Sequence, residues 1–522
     1  MKYIIGKDRS QFEMFCLEES VNKDNEVRLI DLFVESLPLE EYGFIEENRN
    51  PLGGRPAYHP STLLKLYIYG YMNRMRSSRQ LEKECYRNLE VMWLMRGLAP
   101  DHNTIANFRK DNPDAIKKVF RATVELAKNF ELIGGQLLAG DGSVFRAQNS
   151  KKKNYNQKKI DRHLAYIEAK LDDYNQILSS EDGDKEEKEK AQEKIEQHLE
   201  HQKKYKELER KLEESGEVQI STSDPDSRQL IVRNMITEVA YNLQSTVDAK
   251  HNIPINYEIT NENDSKAMGG MLTKAVEILG HNEFTALFDK GYHTGSEFET
   301  ADKLEVEVLV AVPDLPSSSM APDPAYNISE FVYNEDSDTY TCPQGNTLKS
   351  NGNWYSKSRN HKGRKKQTPI KMKQYKTDAC KTCPVYDLCT RSKNKRGRVI
   401  ERLVYAHLLE KNKQRMKEHY EIYRQRQAIV EHPFGTIKRQ WGFDHIMTKK
   451  TIKRASADIG LVFVAYNLRR IFNILSSEML KKYLSVLDFY FSVFRKHFKL
   501  IYRIVFLEVE NIVFEKRGLK VA

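Results

Sequence analysis

Apolar positions recur at intervals of three and four through the first 130 residues, which predicts a run of short helices. A Pro-Ser start at His59-Pro60-Ser61 leads into residues 62–75, where Leu63, Leu66, Tyr67 and Gly70 share a side. Ser77-Ser78 opens a second helix bearing Leu81, Cys85 and Leu89, and Asp101-His102-Asn103 offers caps to a third, followed by AIKKVFRATVELAKNFELI. The period changes at about residue 136. QLLAGDGSVFRAQ is an apolar run that arrives at an Asp-Gly, and it predicts a strand carrying Asp141. Leu164, Ile167, Leu171, Tyr174 and Leu178 then follow one another at spacings of 3, 4, 3 and 4, a coiled-coil seam. SSEDGD at 179–184 breaks it, and Ile195, Leu199, Tyr205, Leu208 and Leu212 carry a return run, so an antiparallel helical hairpin is expected.

Strand patterns resume at 217. TEVAYNLQSTVDAKH and NIPINYEITNEND read as a hairpin, and a helix with Met268, Met271, Leu272, Ala275 and Ile278 on one side follows. EFTALFDKGYH is an apolar strand ending at Asp289, and VEVLVAVPD is another. The order β, β, β, α, β, α, β predicts a mixed α/β layer. Residues 314–398 interrupt it, first Pro/Ser-rich and then basic and Cys-bearing. A helical stretch around Glu431, an amphipathic closing helix in SADIGLVFVAYNLRRIFNIL and an aromatic tail from 476 complete the chain. Charges at Asp488, Arg495, Lys496 and Lys499 make that tail a buried or partner-facing helix rather than a membrane span.

Charge changes the picture in one place. The chain of 522 residues carries 84 Lys and Arg against 74 Asp and Glu, a net of +10. Residues 341–400 hold 16 Lys/Arg and two Asp, a net of +14, so the rest sums to 10 − 14 = −4. A polyanionic partner is the natural reading of that segment. Arg74, Arg76, Arg79, Arg109 and Lys110 in the helical region offer phosphate contacts or, in the plainer reading, a solvated face. Six cysteines in a chain this long do not make a secreted disulfide framework, and the start MKYIIGKDRS has no signal-peptide core. A cytoplasmic, non-membrane protein is expected. Four cysteines, Cys342, Cys380, Cys383 and Cys389, fall in the basic segment. Four thiolates suffice for a tetrahedral structural zinc site; free thiols and an iron–sulfur cluster remain the alternatives. Trp354 and Tyr355 in the same segment suit stacking on an unpaired base or packing beneath the cysteines.

Three acidic residues stand out by context. Asp141 and Asp289 sit at apolar strands that predict one edge of a sheet, and Glu431 lies on a late helix in RQAIVEHPFGTIK. Three carboxylates held together repel one another unless divalent cations neutralise them. Magnesium, or manganese, suits such a cluster, and two ions can serve both the attacking and the leaving oxygen in phosphoryl transfer. AGDGSVFRAQNSKKKN, LFDKGYHTG and YRQRQAIVEHPFGTIKRQWG resemble the three catalytic blocks of DDE transposases of bacterial insertion sequences, whose catalytic domain has a ribonuclease H-like fold. The helical segment YHPSTLLKLYIYGYMNRMRSSRQ through NFRKDN, SDPDSRQLIVRN with AYNLQSTVD, and the Cys-bearing insertion resemble parts of the same family, so the likeness runs from about residue 50 to 475.

The resemblance implies that Asp141, Asp289 and Glu431 are a catalytic, metal-binding triad. It pairs the Glu with Tyr423 and Arg426 upstream and with Lys438, seven residues downstream, as contacts to DNA. At that spacing Lys438 is expected on the same helix face as Glu431. His293 and His432 adjoin the acids and read as orienting or packing residues. The expected fold class is α/β, a ribonuclease H-like mixed-sheet core with an inserted helical hairpin and a Cys-rich segment, preceded by an all-α domain. Its parts are a DNA-end-binding domain at 1–130, the core at 131–150, 217–313 and 399–475, the hairpin at 151–216, the basic Cys-rich insertion at 314–398 and the tail at 476–522. The implied function is a transposase acting on double-stranded DNA, both element ends and target, as a homodimer whose contacts come from the hairpin or the tail. The competing readings are a catalytically silent DNA-binding derivative and a nuclease without strand transfer.

Overall fold

The computed structural model describes residues 10–12, 14–44, 56–179, 185–231, 236–314, 320–357, 369–392 and 397–485. The aromatic tail beyond 485 and the basic runs at 358–368 and 393–396 lie outside them. The chain divides into two compact units, one of residues 1–134, 248–257 and 431–522, the other of 135–247 and 258–430.

The first unit is helical. α1 (Pro60–Met72) starts where its sequence says it should: Pro60 takes the first turn, where a missing N–H costs nothing, and the His59 ring accepts from the Ser61 amide. Asp101 caps α2 (His102–Asp111) by accepting from the Asn103 and Thr104 amides at 2.9 and 3.1 Å. α3 (Pro113–Asn129) follows directly.

The second unit is built on a sheet. The strands of this sheet are β1 (Leu137–Arg146), β2 (Thr237–Asp248), β3 (Ile253–Thr260), β4 (Thr285–Phe288) and β5 (Glu307–Val310), of which Asp248 and residues 253–257 are counted in the first unit. They lie in the order β3-β2-β1-β4-β5, with Arg228–Ile231 also pairing antiparallel to β2. β1, β4 and β5 are mutually parallel. The continuous apolar runs of β4 and β5 fit burial on both faces. Between β1 and β2 the chain makes the expected hairpin, α4 (Gln157–Ser179) and α5 (Lys185–Ser215). Its apolar centre is narrower than the seam predicts: Ile160, Leu208 and Leu212 form the buried cluster at its base, while Leu199 is exposed.

The Cys-bearing segment folds as a second, antiparallel sheet, which the sequence did not suggest. Its strands are β6 (Val332–Asn334), β7 (Thr339–Thr341), β8 (Thr347–Ser350), β9 (Tyr355–Lys357), β10 (Ile370–Lys376) and β11 (Ile400–Leu403), in the order β9-β10-β8-β7-β6 with β11 also on β10. Phe331, Tyr340, Leu348, Tyr375 and Ile400 form a core of its own, so this segment does not depend on a metal for all its apolar burial. Asp338 ties the sheet together by accepting from Tyr333, Tyr375 and Lys373, which hold its carboxyl down at about 2.

α6 (Gln425–Gly435) continues into a π-helical turn at Thr436–Gln440, and the boundary between the units falls within it, after Val430. α7 (Ile452–Ile474) completes the helical unit against α1, α2 and α3. It is not amphipathic as expected: every residue from Ala457 to Leu468 is buried. Gly460 is what lets it fit, since an added Cβ would stand 2.5 Å from the Tyr257 hydroxyl and 2.8 Å from Ile116. Its two deeply buried polar residues find partners, although the Asn467 side-chain oxygen is left without one among the described residues. Asn467 bonds Thr123 and the Pro254 carbonyl. Asp458 takes Arg76 at 2.6 Å, Arg109 at 3.4 Å, the Tyr71 hydroxyl and the Met447 amide. Arg76 and Arg109 are therefore neither solvated nor on a DNA-facing surface, because a carboxylate 349 or more residues away claims them. Among the described residues no single helix is long and apolar enough to cross a membrane.

Candidate active site

β1 and β4 run parallel in a register that pairs Leu137 with Thr285, Leu138 with Ala286 and Ala139 with Leu287. Two residues further along that register stand Asp141 and Asp289. Asp141 lies within β1; Asp289 follows the last residue of β4, where its carboxylate accepts from the Gly291 amide at 2.7 Å and opens a 3-10 turn. The two glycines that flank Asp141 answer to close neighbours. A Cβ on Gly140 would sit 2.1 Å from the Phe288 ring, and one on Gly142 would sit 2.2 Å from Asp264 Oδ1.

Asp264 is the acidic residue that the sequence reading missed. It follows β3 in a 3-10 turn, and its carboxylate accepts from Asn242 at 2.8 Å and Gln244 at 2.6 Å, both on β2. A Cβ placed on Gly291 would lie 2.9 Å from Asp289 Oδ1 and 3.5 Å from Asp264 Oδ2, so both carboxylates converge there. The signal was present in β2. Asn242 and Gln244 alternate along one face of a buried strand, and buried amides require partners. Tyr292 donates to Gln244, closing the network.

The electrostatics record the crowding of like charges. Burial pushes the Asp141 carboxyl up to about 6, against the pull of Arg426, with Asp289 and Asp264 adding to the rise. Arg426 Nη1 stands 3.6 Å from Asp141 Oδ2, with the two side chains 17% and 26% exposed. Tyr423 joins them; burial raises its phenol, with Arg426 opposing and both Asp289 and Asp141 reinforcing the shift. Asp141, Asp289, Tyr423 and Arg426 thus come together in the sheet-bearing unit. Glu431 lies five residues beyond Arg426 on α6, exposed, in the segment that belongs to the helical unit. Lys438 falls in the π turn, where the wider ring displaces it from the face that an α-helical i, i+7 spacing predicts. His293 packs edge-on against Phe298, its buried Nε2 without a hydrogen-bond partner among the described residues, and His432 bonds the Tyr466 hydroxyl.

The four cysteines are also brought together. Cys342, on the turn between β7 and β8, and Cys380, Cys383 and Cys389, on the short helical turns after β10, line one cavity of about 30 Å³. Burial raises the Cys389 thiol; Arg398 opposes this and Cys380, Cys342 and Cys383 add to it. All four are free. Trp354 is exposed, with the Lys373 ammonium 5.2 Å from its ring. As the side chains stand, no group of three or more His, Cys, Asp or Glu among the described residues is arranged to hold a metal ion.

Comparison with known proteins supplies the family. Residues 15–111 match the DUF772 transposase domain, and residues 341–472 match a transposase DDE domain that contains Glu431 and the four cysteines but neither Asp141 nor Asp289. No curated protein matches the chain significantly. Among solved structures, the cryo-EM piggyBac transposase synaptic complex with hairpin DNA aligns at 9% identity, covering 90% of this chain and 80% of that one, with a TM-score of 0.32. The chain thus carries a DUF772 transposase domain and a transposase DDE domain, and the two together support a DDE-type transposase of an insertion sequence.

Proposed function

We propose that this transposase binds the inverted-repeat ends of its element, cleaves DNA by metal-dependent phosphoryl transfer and joins the 3′ ends to target DNA. The observation that carries the reading is the pair formed by Asp141 on β1 and Asp289 just past the end of the parallel neighbour β4, with a third acid, Asp264, against them. Carboxylates packed this tightly attract a cation, and a carboxyl raised by burial and like charge is what an unneutralised pair displays. The strand order β3-β2-β1-β4-β5 supports a ribonuclease H-like core. Asp141, Asp289 and Glu431 would hold two magnesium or manganese ions. Bound there, these ions would lower the pKa of the attacking water or hydroxyl and take up charge on the leaving oxygen.

The protein's own groups do the rest. Arg426, beside Asp141 but short of a tight bond to it, has donors to spare for a phosphate oxygen next to the scissile bond, and Tyr423 orients it. Lys438 contacts a phosphate further along the strand. Asn242 and Gln244 fix Asp264, which keeps the field around Asp141 negative. The active species is a homodimer, since two ends must be paired.

Cleavage of duplex DNA carrying the element ends, with magnesium, tests the triad. Asp141→Ala, Asp289→Ala and Glu431→Ala should each lose nicking and joining by a factor of 10³ or so while still binding the duplex. Full activity in any one removes that residue from the triad. Nicking without joining in the wild type would make the protein a nuclease, and binding without nicking a silent derivative. The four thiols around one cavity suit a structural zinc ion. One equivalent of zinc in purified protein, lost in Cys380→Ser and Cys383→Ser, is expected; a zinc-free wild type that melts no higher on zinc addition refutes it.

A further inference from the structure

We infer that a second DNA contact lies in the helical unit, in a cavity of about 610 Å³ between the C-terminal end of α1, the π turn and the last turns of α7. This rests on the reading above that DNA is the substrate, and it names a site for the strand's phosphates apart from Asp141, Asp289 and Arg426. The cavity is lined by Arg74, Arg469 and Arg470, with Gln440 and Asn473 as neutral donors, and no acidic side chain lines it. Arg469 is fixed by Glu26 at 2.6 Å and by the Met72 carbonyl. Arg470 donates to the His251 carbonyl at 2.8 Å, a bond that holds the guanidinium without neutralising it. Among the described residues neither Arg470 nor Arg74 has a carboxylate partner.

The backbone at Arg74 strengthens the case. α1 ends in a Schellman turn, with the Met75 amide on the Gly70 carbonyl and the Arg74 amide on Tyr71. Arg74 occupies the left-handed position of that turn, at φ 63°, where glycine is the residue that costs nothing. An exposed arginine gains nothing for folding there. Strain retained for a side chain that makes no internal bond points to an external partner, and a polar, acid-free, arginine-lined hollow selects a polyanion. A DNA backbone presents its phosphates in series, so Arg74 and Arg470 can each engage one.

The strain also supplies a clean test. Arg74→Gly restores the preferred residue of the turn, so its melting temperature should equal or exceed that of the wild type. Its affinity for a random-sequence duplex should fall several-fold, and the slope of log K against log salt should become shallower by about one. Arg470→Gln should act in the same direction, with Arg470→Lys restoring part of the loss. Wild-type binding with unchanged affinity and slope in Arg74→Gly and Arg470→Gln overturns this site and leaves the transposase reading intact. A wild type that binds no duplex at all overturns both.

Discussion

Asp141 pays for its position in the currency of protonation. Its raised carboxyl means that the folded protein holds the proton more tightly than the unfolded chain does, where the value is near 3.8. The favourable contribution is therefore complete below about 3.8 and is lost as pH rises through about 6. At neutral pH the ionised group destabilises the fold. Asp141→Asn, in chelator-treated protein, should thus raise stability by about 1 to 3 kcal/mol at pH 7.5, and the gain should shrink towards pH 4. Thermal melts across that range decide it, and a gain that is independent of pH refutes the electrostatic origin. Much of this site was legible in the sequence: an Asp between glycines on an apolar strand and an Asp ending another are local signals. Asp264 was not, because its partners Asn242 and Gln244 are 22 and 20 residues away and meet it only once β2 and β3 pair.

At the scale of elements, the hairpin of α4 and α5 is joined to its unit at a narrow neck. Asn154–Asn156 pairs antiparallel with Gln219–Ser221, with Asn156 opposite Gln219 at the innermost register. Strands paired there are about 5 Å apart, a gap that a two-residue turn closes. Replacing residues 157–218 by Asn-Gly should therefore leave the core sheet folded, with a melting temperature within a few degrees of the wild type. Collapse of the cooperative transition would show that the hairpin carries core stability. Size-exclusion chromatography of the same variant reads its part in dimerisation. The 3, 4, 3, 4 spacing identified the first helix from sequence, because a period repeated over five positions is robust, and the apolar return run after the SSEDGD break marked the second. The second sheet escaped notice for the opposite reason. Its strands are three to seven residues long, broken by lysines and turns, and its core draws single residues such as Phe331, Leu348 and Ile400 from distant stretches.

For the whole molecule, the buried acid on α7 matters more than its size suggests. Burial alone would raise the Asp458 carboxyl, but Arg76 and Arg109, with the Met447 amide and Tyr71, hold it below its ordinary value. Its contribution to stability is present above the ordinary carboxylate range and is lost as pH falls through the depressed value. Asp458→Asn leaves two buried guanidinium groups without a counter-charge and should cost about 3 to 5 kcal/mol, measured by denaturant unfolding at neutral pH. A loss below about 1 kcal/mol would mean that hydration relieves those cations. In the sequence Arg76 and Arg109 offered phosphate contacts or a solvated face; only the fold brings residue 458 to them.

Because α7 forms the centre of the helical unit yet follows α1, α2 and α3 in the chain, synthesis has a definite order of events. A nascent chain halted before residue 452 presents α1, α2 and α3 with their inner faces bare, including Tyr67, Tyr71 and Phe120. Such a product exposes what a chaperone or protease recognises. Premature termination should therefore yield no stably folded N-terminal fragment.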